Sequence, residues 1–326
     1  MRIALLTNQD LDADPFPAND WPCDPRPYLP EASWSVITLQ KGEAPTRLPP
    51  LRDQFDVFFN LCDGAADQDD VPGIEVVDTL EAMGVAFTGA TSGFYEPTRA
   101  QMKRAARRAG VKVPKGVLAK TVHDVERAAQ TLTFPLFVKH HNSYASVGIS
   151  RSSRVVTPAG LRRQARKTME RFGFALIEEY IDGDECTVLV AENPEDAAHP
   201  ITFTPIRYTF PPGEHFKHEK LKWVDYDGLR CDPITDAALS QRLRRAASRV
   251  FLELGGSSFG RCDLRLDPKG RPVFLEINPN CGVFYPPTDP GSADLCLRHD
   301  PRGHEGFTRA LIACALQRAH STRAVG

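Results

Sequence analysis

Between Arg261 and Asn278 the chain places three oxygen-bearing side chains, Asp263, Glu276 and Asn278, in two alternating runs joined by Asp267-Pro268-Lys269-Gly270. Alternation predicts two strands. One sets Cys262, Leu264 and Leu266 against Arg261, Asp263 and Arg265; the other sets Val273, Leu275 and Ile277 against Phe274, Glu276 and Asn278. Pairing Leu266 with Arg271 across the four-residue turn brings the apolar faces together. It also puts Arg261 opposite Glu276, with Asp263 on the diagonal. Diagonal neighbours lie roughly 7–8 Å apart, near enough to share a cation. Asp, Glu and Asn offer only oxygen ligands, which suits Mg²⁺ carrying a nucleotide phosphate. The alternative is a solvated hairpin face with one Arg261–Glu276 ion pair.

Two further segments could meet such a phosphate. A strand ending at Lys139 runs into His140-His-Asn-Ser-Tyr-Ala-Ser-Val-Gly148 and then into another strand. The N–H groups of such a turn can fold over phosphates, with lysine as a point charge, unless it is a plain hairpin whose lysine faces solvent. It is not the strand–GxxxxGK[ST]–helix loop, because a strand follows. Ala175-Leu-Ile-Glu-Glu-Tyr-Ile181 ends in Glu178 and Glu179 and turns at Asp182-Gly183 toward Glu185. Acids at a strand end can accept from an adenine amino group or ribose hydroxyls, or they protect an edge strand by charge.

Three blocks of elements must position these residues. Residues 1–95 alternate strand and helix signals: strands at Arg2–Thr7, Trp34–Leu39 and Phe55–Leu61, a helix at Ile74–Met83 and a short strand at Gly84–Gly89. That pattern predicts a parallel-sheet α/β unit, interrupted by a Pro-rich loop over 10–30. Thr98 and Gln101 form a capping box, Met102, Ala105, Ala106 and Ala109 make a buried stripe beside Lys103, and Gly110 ends that helix. Strand Gly116–Ala119, helix Thr121–Thr131, strand Phe134–Lys139, strand Ile149–Val156, helix Pro158–Arg171 and strand Ala175–Tyr180 follow. The last block has strands Glu185–Glu192 and Pro200–Tyr208, a charged and aromatic loop over 210–233, helix Thr235–Leu254, the hairpin, a mostly irregular stretch over 281–305 and a helix over 307–318.

The chain has 326 residues, 41% hydrophobic and 25% charged, with a net charge of −2. These values fit a soluble protein of two or three domains and point away from nucleic-acid or membrane partners. Its eight cysteines include no CxxC pair, so neither a zinc site nor a redox pair is indicated, and reduced thiols in a cytoplasmic protein are expected. No apolar run reaches the ~20 residues of a membrane span, and the first six residues are too short for a signal peptide.

In this order the blocks resemble the ATP-grasp superfamily, and within it the D-alanine–D-alanine ligase-like enzymes. The resemblance covers most of the chain and is most specific from Gln101 to Gly282. It rests on Phe134-Pro-Leu-Phe-Val-Lys139 with Ser146-Val-Gly148, on Leu176-Ile-Glu-Glu-Tyr-Ile181 with Gly183-Asp-Glu185, and on Gly260-Arg-Cys-Asp263 with Leu275-Glu-Ile-Asn-Pro-Asn-Cys-Gly282. It implies an N-terminal parallel-sheet substrate domain (1–96) before a two-lobed ATP-grasp fold (97–180 and 181–326), an α/β protein with α+β character in the second part. It implies Lys103 and Lys139 on the ATP phosphates, Ser146 in the loop above them, and Glu178 near the adenine amino group. The backbone of Glu179, Tyr180 and Ile181 would line the adenine pocket, and Glu185 would hold the ribose. Asp263, Glu276 and Asn278 would bind two Mg²⁺ ions, Mn²⁺ being chemically admissible. Arg261 and the Gly282 N–H would stabilise the acyl-phosphate and tetrahedral stages, and Phe216–Trp223 would form a lid carrying Lys222, unless it is a solvated loop. The implied reaction is ATP-dependent amide formation between small amino acids or carboxylic acids through an acyl phosphate, by an enzyme that is a homodimer.

The chain departs from that family where substrate is held. Thr7-Asn-Gln-Asp-Leu-Asp12 replaces a Gly-Gly-x-Ser-x-Glu signature, Cys62-Asp63-Gly64 replaces a His-Gly pair, and Trp223 replaces a lid tyrosine. Val283–Asp294 replaces a short carboxylate-binding segment. These departures lead to the expectation that the substrates are not two D-alanines. The competing expectations are a D-alanine–D-alanine ligase proper, another ATP-grasp enzyme acting on a peptide or protein terminus, and a non-catalytic nucleotide-binding module.

Overall fold

The computed structural model describes residues 1–11, 13, 22–65, 68–142, 148–218 and 228–325, with side chains as far as residue 321. Three sheets organise it. The first is parallel, in the order β2-β1-β3, from β1 (Arg2–Thr7), β2 (Ser33–Thr38) and β3 (Val57–Asn60). Ile3, Ala4, Leu5 and Leu6 are fully buried, because both faces of this sheet are covered, the usual condition of a parallel sheet. Helices α1 (Ala44–Arg47) and α2 (Ile74–Met83) follow β2 and β3. The strand expected over 84–89 shrinks to one bridge, Phe58 to Phe87. Gly84 at φ +63° caps α2, and Gly89 at φ +95° turns the chain away again.

The second sheet is antiparallel, in the order β4-β7-β5-β6. It comprises β4 (Gly116–Ala119), β5 (Leu136–Lys139), β6 (Arg154–Val155) and β7 (Ala175–Glu179). It is preceded by α3 (Arg99–Arg108), whose Thr98–Gln101 capping box forms as the sequence predicts. Helices α4 (Val122–Thr131) and α5 (Pro158–Phe172) pack against it and against each other. β6 has two residues instead of the expected eight-residue strand, because Ser150 and Ser153 cap a short 3₁₀ turn over Arg151–Ser153. Such side-chain bonds to local backbone compete with the sheet ladder.

The third sheet runs β11-β10-β8-β12-β13, with β9 added beside β8. Its strands are β8 (Glu185–Ala191), β9 (Ile201–Thr202), β10 (Ile206–Thr209), β11 (Arg230–Pro233), β12 (Phe259–Leu266) and β13 (Pro272–Pro279). Helix α6 (Ala237–Glu253) precedes β12; α7 (Ser292–Arg298) and α8 (Gly303–Val325) close the chain. Pro205, which has no N–H for a ladder, splits the single strand expected over 200–208. β11 lies inside the expected loop over 210–233, and α7 inside the stretch expected to be irregular. Helix α8 is longer than expected at both ends.

The core shows how these layers join. Ala4, Leu6 and Phe58 from the first sheet share one cluster with Val188, Cys262 and Phe274 from the third. Ile3, Leu5 and Phe59, on its other face, share a second with Leu189, Phe284 and Phe307. The second sheet has a cluster of its own, with Val138, Leu161 and Ile177. A cleft lies where this separate lobe meets the other two sheets.

The hairpin register differs from the expected one. Leu266 pairs with Pro272 rather than Arg271, and a bulge follows at Leu275, between the pairs Leu264–Phe274 and Asp263–Glu276. Asp263 therefore lies directly opposite Glu276 rather than on a diagonal, and Arg261 lies opposite Asn278. The Asp267 carboxylate holds the N–H groups of Lys269 and Arg271 and lengthens the loop by one residue. Phe274 is fully buried in the core, not on the Glu276 face, while Leu275 turns to the cleft. This arrangement predicts that Phe274→Ala costs about 3–5 kcal/mol of stability, seen as a lower denaturation midpoint. Leu275→Ala should move that midpoint less and weaken nucleotide binding; the reverse ranking would contradict the bulge.

Candidate functional site

The cleft has a volume of about 1400 Å³. Its centre is Glu178 on β7, 3% exposed, which carries two ammonium groups. Lys139, at the end of β5, places Nζ 2.9 Å from Oε2. Lys103, on the inner face of α3, meets Oε1. One turn earlier on α3, Arg99 pairs with Glu276. Burial, then the Arg99 guanidinium, brings the Lys103 ammonium down to about 7 and Lys139 well below its ordinary value. The lysines thus share one carboxylate in a place poor in water. A polyanion entering beside them would favour their charged forms.

Opposite this wall stand the hairpin residues. Arg261 donates Nε and Nη2 to the two oxygens of Asp263, at 3.1 and 3.0 Å. Thr187 donates to the same carboxylate at 2.7 Å, and Asn278 Nδ2 stands 3.4 Å from it. Burial opposes ionisation of Asp263 and Glu276. Arg261 and Lys217 outweigh it at Asp263, and Arg99 and Lys139 at Glu276, so both carboxyls stay below their ordinary range. Arg261 lines the cleft, and so does Gly282. The Gly282 N–H has no hydrogen-bond partner among the described residues. A Cβ on Gly282 would stand 2.3 Å from the Tyr285 hydroxyl, so any side chain there would have to displace the Tyr285 ring.

A third corner is aromatic. The Tyr180 ring lies between the guanidiniums of Arg154 and Arg265, 5.0 and 4.6 Å from its centroid, with Phe137 and Phe216 nearby. Tyr180 Oη accepts from Arg265 at 2.6 Å and donates to the His215 carbonyl at 2.8 Å. Glu185, whose carboxyl burial pushes up, lies 3.9 Å from Arg265. The N–H groups of Glu179 and Tyr180 are already taken by the carbonyls of Lys115 and Pro135, and the Glu179 carboxylate accepts from Thr133 N–H. Of the backbone N–H groups of Glu179, Tyr180 and Ile181, expected to line the adenine pocket, that of Ile181 has no partner among the described residues.

The structure thus brings together Lys103, Lys139, Glu178, Tyr180, Ile181, Glu185, Arg261, Asp263, Glu276, Asn278 and Gly282. Ser146, Lys222 and Trp223 lie outside the described residues. Two cations went unnoticed in the sequence. Arg99 is four residues before Lys103, on the same helix face, and lines the cleft. Lys217 stands 3.2 Å above the Tyr208 ring, where burial lowers its ammonium against the pull of Glu185 and Asp263. Among the described residues no three His, Cys, Asp or Glu side chains group to hold a metal; a cation here would rest on two carboxylates and one amide oxygen.

Residues 111–285 match the model of the family described as D-ala D-ala ligase C-terminus. The chain belongs to the D-alanine–D-alanine ligase family of ATP-grasp enzymes. Family members are ATP-dependent ligases that form C–N bonds. Its relatives include the D-alanine–D-alanine ligase of Laribacter hongkongensis, 28% identical over 82% of this chain and 80% of the relative. D-alanine–D-alanine ligase A of Bradyrhizobium diazoefficiens is 31% identical over 68% of this chain and 60% of the relative. Among solved structures, the VanG D-Ala:D-Ser ligase of Enterococcus faecalis aligns over 96% of this chain and 99% of its own, with a TM-score of 0.69 at 17% identity. The ATP complex of the Bacillus anthracis D-alanine–D-alanine ligase aligns over 99% of both chains with a TM-score of 0.65 at 17% identity. These likenesses support the mixed α/β fold of the family, and among the described residues no helix is long and apolar enough to cross a membrane.

The lysine pair carries a pH signature. Burial, then the Arg99 guanidinium, lowers the Lys103 ammonium to about 7, so it is largely neutral above that pH, and phosphates bound beside it would raise its pKa. Nucleotide binding should therefore take up protons at about pH 8, and affinity should fall as pH rises. Calorimetry in two buffers of different ionisation enthalpy measures the uptake; identical heats would remove the lysines from the phosphate site.

Proposed function

We propose that this protein joins a carboxylate to an amine at the expense of ATP, through an acyl phosphate. The observation that carries this reading is Arg261. It is anchored on Asp263 and lines the same cleft as Gly282, Lys139 and Glu178. A site for nucleotide binding alone has no need of an anchored guanidinium there.

In the proposed reaction the donor carboxylate oxygen attacks the γ-phosphorus of ATP, and the bond to the β,γ-bridging oxygen breaks to release ADP. Arg99, Lys103 and Lys139 counter the charge on the transferring group, where positioning and electrostatics dominate catalysis. The amine nitrogen then attacks the acyl carbon, loses a proton, and the tetrahedral oxyanion collapses with loss of phosphate. Arg261 and the Gly282 N–H donate to that oxygen as charge develops on it. Asp263, Glu276 and Asn278 fit Mg²⁺, which prefers oxygen donors and uses one or two carboxylates beside substrate phosphates; bound there, it would supply further charge neutralisation. The aromatic corner suits an adenine face, with Glu185 toward the ribose.

The names of the curated relatives favour D-alanine in both substrate positions. A second reading, in which at least one substrate differs, is favoured by Cys62-Asp63-Gly64, which puts an acid at the substrate end of the cleft. Phosphate release with a matrix of amino acids and small acids, and product masses, decide between them. A D-alanine pair faster than all others establishes the first, and any other leading pair the second. Arg261→Ala should lower kcat by about 10²–10³-fold while ATP still binds. Normal turnover in that variant would sink the mechanism.

A further inference from the structure

The segment after β13 turns back on itself, and one carboxylate closes the turn. Asp294, 1% exposed, accepts from Phe284 N–H at 2.8 Å and from Gly291 N–H at 3.0 Å, so it gathers both ends of the stretch over 284–291. His304 Nε2 bonds the same carboxylate at 2.8 Å, and Asp24 N–H donates to the Phe284 carbonyl at 3.0 Å. Phe284 takes a φ of +69° within this frame.

Tyr285 is the side chain that the turn places. Its ring lies in a slot between two glycines. A Cβ on Gly291 would stand 2.5 Å from ring atom Cδ2, and one on Gly282 would stand 2.3 Å from the hydroxyl oxygen. The missing side chains leave room for the ring and set its Oη against Gly282. That hydroxyl is uncommitted. Tyr95 and Tyr180 give theirs to backbone carbonyls, whereas the Tyr285 hydroxyl has no partner among the described residues and keeps accessible surface. Burial, then Cys23 and Asp63, push its phenol far above the ordinary range, so it remains a neutral O–H donor.

Two other donors belong to the same corner. The Gly282 N–H is also without a partner among the described residues. Arg261 acts electrostatically on Cys281, the residue before Gly282, and Arg261, Gly282 and Tyr285 all line the cleft. The phosphates would already be met by Arg99, Lys103 and Lys139, to which one neutral hydroxyl adds little. Its effect is largest on an oxygen that gains charge only during reaction, because a fixed donor then needs no reorganisation and its hydrogen bond becomes charge-assisted.

We propose that Tyr285 is a further catalytic residue, its hydroxyl donating to the tetrahedral oxyanion beside Arg261 and the Gly282 N–H. The assignment rests on the ligase reading above and concerns the second step. As the amine nitrogen bonds to the acyl carbon, the carbonyl π electrons move onto oxygen, where the three donors hold them. Their return expels phosphate with the electrons of the C–O bond, and the phosphate carries off the amine proton. Tyr285 keeps its own proton throughout.

The test uses the full chain with Mg²⁺ and labelled ATP, enzyme in excess, and the substrate pair that gives the fastest phosphate release, two D-alanines being tried first. ADP and amide are followed in a single turnover, so that each chemical step is read separately. Tyr285→Phe removes the O–H and keeps the ring. It should form ADP within about twofold of the wild-type rate, slow amide formation at least about tenfold, and leave KM for ATP within about twofold. A Phe variant that forms amide at the wild-type rate overturns the assignment and leaves the ligase reading standing. One that slows ADP and amide formation equally overturns it in favour of a structural role for the ring. A wild type that forms ADP with no pair of acids and amines overturns both readings together.

Discussion

Strand β13 lies between the core beneath α6 and the cleft, and one extra residue in it decides both sides. The bulge at Leu275 lets Phe274 and Ile277 enter the core while Leu275, Glu276 and Asn278 reach the cleft. It also sets Glu276 directly across from Asp263, and two carboxylates that close cannot be buried without cations. Arg261 answers from the same strand as Asp263, and Arg99 answers from α3. The pairing of Arg99 with Glu276 fixes the face that α3 turns to the cleft, so that Lys103, one turn later, reaches Glu178. A backbone irregularity in one strand is thereby linked, through one helix, to the charge cluster on a different sheet.

That cluster is costly to the empty protein. Lys103 and Lys139 share the single carboxylate of Glu178 and lose water in doing so, which is why their ammonium groups are destabilised. Buried ion pairs of this kind seldom add net stability, since desolvation offsets the attraction between the charges. In the proposed function their use is preorganisation: the amines are already desolvated and aimed, and they take up their charge as the polyanion arrives, so little reorganisation remains. Lys217 over Tyr208 and Arg265 against Tyr180 extend the same design toward Glu185, with aromatic faces sharing the work of holding cations in a dry place.

What could be read from the sequence followed the distance over which each residue's environment is set. The α3 capping box, the Met102–Ala106 stripe and the buried strand β1 depend on neighbours within a few positions, and they stand where the pattern put them. The hairpin faces failed at Leu275, because a bulge is invisible to strict alternation and here depends on the Asp267 loop and on the core beneath α6. The expected strands over 149–156 and 200–208 lost length to Ser150 and Pro205, local signals that an apolar pattern outweighed. Lys139, Glu178, Asp263 and Glu276 were legible as a constellation through the order of their blocks. Arg99 was not, since its partner lies 177 positions away and its helix face was read as packing around Lys103.

The two ends of the cleft differ in how they are built, and that difference bears on what the fold fixes. The nucleotide end is made by strand ends and a helix face, whose positions are set by three cores and leave little freedom. The end proposed for the substrates is made by connections: the turn after β3 that carries Asp63, and the segment after β13 in which Asn280 and Phe284 adopt φ of +49° and +69°. The second connection is held in that conformation by Asp294, which accepts from Phe284 N–H at 2.8 Å and is itself bonded to His304 at the same distance. Strain of this kind persists only where the surroundings overdetermine it. Such connections can change side chains without disturbing the sheets, so one phosphoryl-transfer apparatus can serve different acids and amines. In the proposed function, chemistry would follow from the sheets and substrate choice from these loops.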